Sequence, residues 1–96
     1  MTKPYIAIFL LPHPQREHAQ IIDVIRAASA GDFKQFVFAG GVAFVYTSTT
    51  PPWLLSFSKI LHTGDSKLIT ELSPNGISHD GFGAAAGWLN SHFPRR

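Results

Sequence analysis

The segment FKQFVFAGGVAFVYT, residues 33–47, constrains the fold more than any other part of the chain. Aromatic side chains recur at every second position on both sides of Gly40-Gly41, which is the period of a β-strand. A glycine pair tolerates the positive φ that a tight hairpin turn demands. A two-residue turn there sets Ala39 opposite Val42, Phe38 opposite Ala43 and Phe36 opposite Val45. One face then carries Phe36, Phe38, Ala43 and Val45, and the other carries Gln35, Val37, Val42, Phe44 and Tyr46. Slipping the pairing by one residue would exchange these faces.

Upstream, PYIAIFLL at residues 4–11 is a β-rich apolar run stopped by Pro12-His13-Pro14. Helical periodicity begins at Gln15. Pro14 suits the first turn, Glu17 suits the positive end of the helix dipole, Ala19, Ile22, Ile25 and Ala28 or Ser29 mark one face, and Gly31 is the stop. Downstream, TTPPWLLSFSKILHTG predicts a second helix, capped by Thr49 or Thr50, started by Pro51 and Pro52, and ended at Gly64. Its inner face is Leu54, Phe57 and Leu61. SKLITEL is a fourth strand and SPNGIS a turn-rich connector. HDGFGAAAGWLNSHF predicts a short terminal helix, with Asp80 as N-cap and Phe82, Ala85, Ala86, Leu89 and Phe93 along one stripe.

The element order is therefore β-α-β-β-α-β plus a terminal helix, with no linker, repeat or low-complexity tract. It predicts an α+β chain of the ferredoxin-like arrangement, in one domain over residues 1–96: a four-stranded antiparallel sheet with two helices on one face. In the first strand Ile6, Ile8 and Leu10 share one side, and Tyr5, Ala7, Phe9 and Leu11 the other. The aliphatic side suits the two helices. Tyr5, Phe9, Phe44 and Tyr46 then lie on the remaining face, which lacks the polar alternation of a face open to water. The terminal helix or a second subunit would cover it.

A nucleic acid is the alternative cover. GGVAFVYT partly resembles the third-strand motif of RNA-recognition domains, with Gly41, Ala43, Phe44 and Val45 fitting, and IFL at residues 8–10 partly resembles their first-strand motif. The resemblance would make Phe9 and Phe44 base-stacking residues. Against it, Val42 stands in place of an aromatic, Gly40 in place of a basic residue, and a two-residue hairpin in place of a longer connection.

Composition narrows the remaining classes. With 45% hydrophobic and 15% charged residues the chain is of globular type, and 96 residues suffice for a modest two-layer core. The absence of cysteine excludes a disulfide scaffold, thiolate metal sites and a thiol nucleophile. The net charge is only +2 and, apart from Arg95-Arg96, the basic residues are scattered, giving no footprint for several phosphates. No apolar run is long enough to span a bilayer, and the N-terminus has no signal-peptide pattern, so a cytoplasmic protein without a membrane partner is expected.

No other motif carries chemistry. The five histidines, His13, His18, His62, His79 and His92, lack the i, i+4 spacing of a zinc-binding helical pair with a nearby acid. There is no G-x-S-x-G turn, and Asp80 beside His79 is more simply a helix cap. GFGAAAG lacks the βα unit that must follow a dinucleotide fingerprint; its small residues suit close packing of a helix on a sheet. No catalytic, cofactor or metal residue is expected.

The stretch PPWLLSFSKILHTGDSKLITEL followed by GFGAAAGWLNSHF resembles the SinR-like proteins, small ferredoxin-like chains akin to the CRISPR spacer-acquisition nuclease subunit. Asp65, Leu68 to Leu72, Trp88-Leu89 and His92 carry the resemblance, which covers the C-terminal half. It implies a ferredoxin-like fold and a homodimer. The nuclease members use an acidic residue at the end of the first strand for metal, but this chain has no Asp or Glu between Lys3 and Glu17, and a hard Mg²⁺ ion prefers carboxylate oxygens. The expected function is thus a non-catalytic homodimeric interaction or regulatory module. Nucleic-acid binding and a degenerate metal-dependent nuclease are the alternatives.

Overall fold

A computed structural model describes residues 2–11, 14–57, 60–61, 63–73, 76 and 83–93. Over these residues the chain is α+β, with a four-stranded antiparallel sheet and two α-helices. Its elements are β1 (Lys3–Leu10), α1 (Pro14–Ser29), β2 (Phe33–Phe38), β3 (Gly41–Ser48), β4 (Ser66–Glu71) and the short terminal α2 (Ala86–His92). Single 3₁₀ turns occupy Pro52–Leu54 and Gly83–Ala85. The strand order is β2-β3-β1-β4, so β1 and β3 are central and β2 and β4 form the edges.

The hairpin forms, but its turn is Ala39-Gly40 rather than Gly40-Gly41. Phe38 pairs with Gly41, Phe36 with Ala43 and Gln35 with Phe44. Gly40 takes the positive φ, at 88°. Gly41 belongs to the strand for a tertiary reason: a Cβ there would overlap the carbonyl oxygen of Phe9 and lie 2.9 Å from the Phe38 ring. The shift is two residues in total pairing, so the expected division into faces survives.

Which face is covered by which element differs from expectation. Tyr5, Ala7 and Phe9 of β1, with Leu11 just beyond it, join Val42, Phe44 and Tyr46 in the main core, and α1 seals it with Ile21 and Ile25. The aromatic side, not the aliphatic one, lies under the first helix. Each aromatic ring removes roughly 150–250 Å² from water, more than an aliphatic side chain, so this arrangement buries the larger apolar area. The buried line of α1 is Ile21, Ile25 and Ser29 at four-residue spacing, while Ala19 is exposed and Ile22 and Ala28 are half-buried. At its end Ala30 and Gly31 both take positive φ, and Gly31 N–H closes on Arg26 O at 3.0 Å.

The predicted second helix does not form over the described residues of 51–57. Pro51 is extended, the Pro52–Leu54 turn stops at once, and Leu55 returns to φ −80°, ψ 121°. Pro51 and Pro52 suit an extended chain as readily as a helix start, and of the residues that follow to Phe57 only Leu54 and Leu55 are strong helix formers. Of the expected inner face, Leu54 is exposed, whereas Phe57 plugs the core against Phe9 with ring centroids 5.2 Å apart. Over its described residues 51–57 the crossover between β3 and β4 is a flap that delivers Phe57 as an aromatic anchor, and the N–H groups of Ile60 and Leu61 then both donate to Phe57 O at 2.9 Å.

The terminal helix covers part of the opposite face. Ala85, Trp88, Leu89 and Phe93 form a second cluster with Val45, flanked by Ile6 and Leu72. The expected stripe is present at Ala85, Leu89 and Phe93, with Trp88 added. His13, His62, His79, Asp80 and Phe82 lie outside the described residues. No helix among the described residues is long and apolar enough to cross a membrane.

Candidate interaction surface

The sheet brings Tyr5, Phe9, Phe44 and Tyr46 together, but as core. Their exposures are 5%, 0%, 0% and 0%, so neither Phe9 nor Phe44 presents a ring to a base, and no second subunit is needed to cover them. Tyr5 stacks on its direct partner Tyr46 at 5.3 Å, and Phe9 meets Phe44 edge-on at 5.9 Å. Burial, and secondarily the neighbouring Tyr5, pushes the Tyr46 phenol up to about 12. Its hydroxyl is buried and has no hydrogen-bond partner among the described residues.

Asp32, in the connection between α1 and β2, gathers a polar cluster that fixes α2. Its Oδ1 accepts the Trp88 indole N–H at 3.1 Å, and its Oδ2 accepts the Thr47 hydroxyl. The His92 ring stacks on Trp88 with centroids 3.9 Å apart, and its Nε2 stands 3.7 Å from Asp32 Oδ2. Nδ1 lies 2.9 Å from the Trp88 carbonyl oxygen, which can only accept, so Nδ1 carries the hydrogen. Here the Thr47 hydroxyl donates to the carboxylate, and the indole occupies the other carboxylate oxygen. The cluster is a clasp between α2 and the sheet.

Beyond α2 the same sheet face is an apolar band. Phe36, Ala43, Ile8 and Leu68 are successive direct cross-strand partners and form one row across all four strands. Phe38, Gly41, Leu10 and Ser66 form the next. The Phe36 and Phe38 rings stack at 6.5 Å, and Leu10 and Leu68 are 50% and 62% exposed. Ile8, Phe36 and Phe38 are half-buried and Ala43 is buried, so Leu10 and Leu68 are the exposed apolar side chains of the band. Apolar side chains grouped in the open mark an interaction surface more often than ones scattered singly.

On the other side of β4 the crossover leaves an open groove of about 540 Å³, with Trp53 and the Lys3–Glu71 ion pair among its lining residues. Trp53 is 81% exposed, Lys3 Nζ stands 3.6 Å from Glu71 Oε1, and Lys67 Nζ lies 5.7 Å from the centre of the Phe57 ring. These surface residues escaped the sequence reading. The signal was available in SKLITE, whose polar residues fall on both faces, as expected of an edge strand. Among the described residues no group of three His, Asp or Glu side chains is placed to hold a metal ion.

No family model matches the chain, and no curated protein sequence or solved structure matches it either.

Proposed function

We propose that this chain is a non-catalytic interaction module that works as a homodimer. The apolar band carries this reading: Leu10 and Leu68 stand open on a face whose neighbouring part is already sealed by α2. A small chain without disulfides gains stability by covering such a surface with a second copy.

We also read the architecture as ferredoxin-like. Taken from the β4 edge, the strands run β4-β1-β3-β2, all antiparallel, with α1 crossing between β1 and β2. Over its described residues 51–57 the second crossover departs from that arrangement, with a 3₁₀ turn between extended residues Pro51 and Leu55. The likeness to SinR-like proteins supports the fold and the dimer. Trp88-Leu89 and His92, which carry part of it, have structural roles here in seating α2.

The test is the mass of the pure protein by light scattering, compared with that of a Leu10→Lys, Leu68→Lys variant. A dimer that the paired substitution returns to a monomer supports the reading. A monomeric parent chain overturns it.

A further inference from the structure

We propose that the dimer forms by antiparallel pairing of β4 with β4 of the partner subunit, with Ile69 on the twofold axis. This rests on the homodimer reading above and names the edge that makes it.

The sheet has two edges. The β2 edge is flanked by the Gly83–Ala85 turn, which packs against β2, and α1 reaches it through His18, hydrogen-bonded to Gln35 at 3.1 Å, and Arg26, 5.8 Å from the centre of the Phe33 ring. At the β4 edge every residue from Ser66 to Glu71 is exposed except half-buried Ile69.

The ladder shows which backbone groups of β4 face outward. Leu72 N–H donates to Pro4 O at 2.9 Å, continuing the β1–β4 register by one pair. Hydrogen-bonded and non-hydrogen-bonded pairs alternate along an antiparallel ladder. Thr70, Leu68 and Ser66 therefore bond to β1, while the N–H and C=O groups of Lys67, Ile69 and Glu71 point away from it. A second β4 pairs only in a register that sets these outward groups against one another. An axis lying between two residues fails, because it opposes inward-facing to outward-facing groups.

Charge selects among the registers that remain. With Ile69 on the axis, Lys67 stands opposite Glu71 of the partner subunit, and the same contact repeats by symmetry. Centring the axis on Leu68 would set Glu71 against Asp65 of the partner subunit, two carboxylates face to face. Centring it on Thr70 would part Lys67 from Glu71 altogether. Opposite charges directly across a ladder stabilise it and like charges destabilise it.

The pairing also serves the surfaces already described. Glu71, bound to Lys3 within its own chain, would lie between two ammonium groups. Leu68 would sit beside Thr70 of the partner subunit, so the apolar band would run on across the axis. Trp53 and Ile69 line the same groove next to β4, which the added strand would flank.

The chain has no cysteine, so cross-linking can be read without background. Leu68→Cys and Thr70→Cys proteins, both altered at exposed positions, are mixed in a glutathione redox buffer. Leu68 and Thr70 of the partner subunit form a non-hydrogen-bonded pair in this register, with Cα atoms about 4.5 Å apart, within disulfide range. A disulfide-linked heterodimer that dominates in the mixture, with little from either protein alone, is the expected result. In parallel, Lys67→Glu should weaken dimerisation about tenfold or more, and adding Glu71→Lys should restore it. A parent dimer with neither the cross-link nor the charge-swap rescue overturns the β4 pairing and leaves the homodimer reading standing. A parent monomer overturns both.

Discussion

The indole N–H of Trp88 donates to Oδ1 of Asp32 across 3.1 Å, joining the terminal helix to the connection that leads into β2. The residues are 56 positions apart in the chain, and α2 has only seven residues, too few to be helical without tertiary support. Replacing Asp32 with Ala leaves the indole N–H and the Thr47 hydroxyl without their acceptor. The expected loss is about 1–2 kcal/mol, discounted because the carboxylate is partly exposed. Denaturant unfolding measures it, and the near-ultraviolet circular dichroism of Trp88 should weaken in the native baseline.

Gly41 tolerates no side chain. Because the obstacle is the backbone oxygen of Phe9 rather than a flexible side chain, Gly41→Ala must move a central strand. The expected cost is about 3 kcal/mol, or failure to fold. Gly40→Ala meets no neighbouring atom and faces only the strain of φ 88°. Its cost should be nearer 1 kcal/mol. Equal losses for the two would contradict the Ala39-Gly40 turn.

Phe57 anchors the crossover flap through its contact with Phe9. Phe57→Ala should cost about 3–4 kcal/mol by thermal or urea unfolding, as for other buried rings. Trp53→Ala, on the same flap but exposed, should leave the unfolding of a dilute, dissociated sample within about 0.5 kcal/mol of the parent.

Tyr46 links stability to alkaline pH. Its phenol titrates at about 12 in the folded chain against 10.0 for the ordinary value. Between those values the unfolded chain has released a proton that the folded chain retains. The contribution is complete below pH 10 and is lost as the pH climbs to about 12, by roughly 3 kcal/mol. Tyr46→Phe should flatten that limb of the stability–pH curve. At pH 7 it should be neutral or slightly stabilising, because it removes an unpartnered buried hydroxyl.

Much of this architecture is legible in the residues, and the exceptions have physical reasons. The four strands and α1 follow from apolar periodicity and from Pro and Gly punctuation. The crossover misleads because Pro51-Pro52 suits both a helix start and an extended segment, and the need of Phe9 for a covering ring decides between them. The choice of sheet face was hidden because β1 is apolar on both sides: Tyr5, Ala7 and Phe9 lie in the main core, while on the other side Ile6 packs with the α2 cluster and Leu10 is left open. Placing Leu10 and Leu68 in adjacent rows of one open band requires knowing that β4 pairs with β1 rather than with β3. That pairing is a long-range fact which no local pattern contains.

The central claim is that the chain works as a homodimer in which the open β4 edge of the sheet is covered by a second copy of the chain. Sedimentation equilibrium of the pure protein over a wide concentration range tests it most directly. A species of twice the 10.5 kDa chain mass, dissociating only on dilution, is the predicted result. A constant 10.5 kDa at every concentration would contradict it.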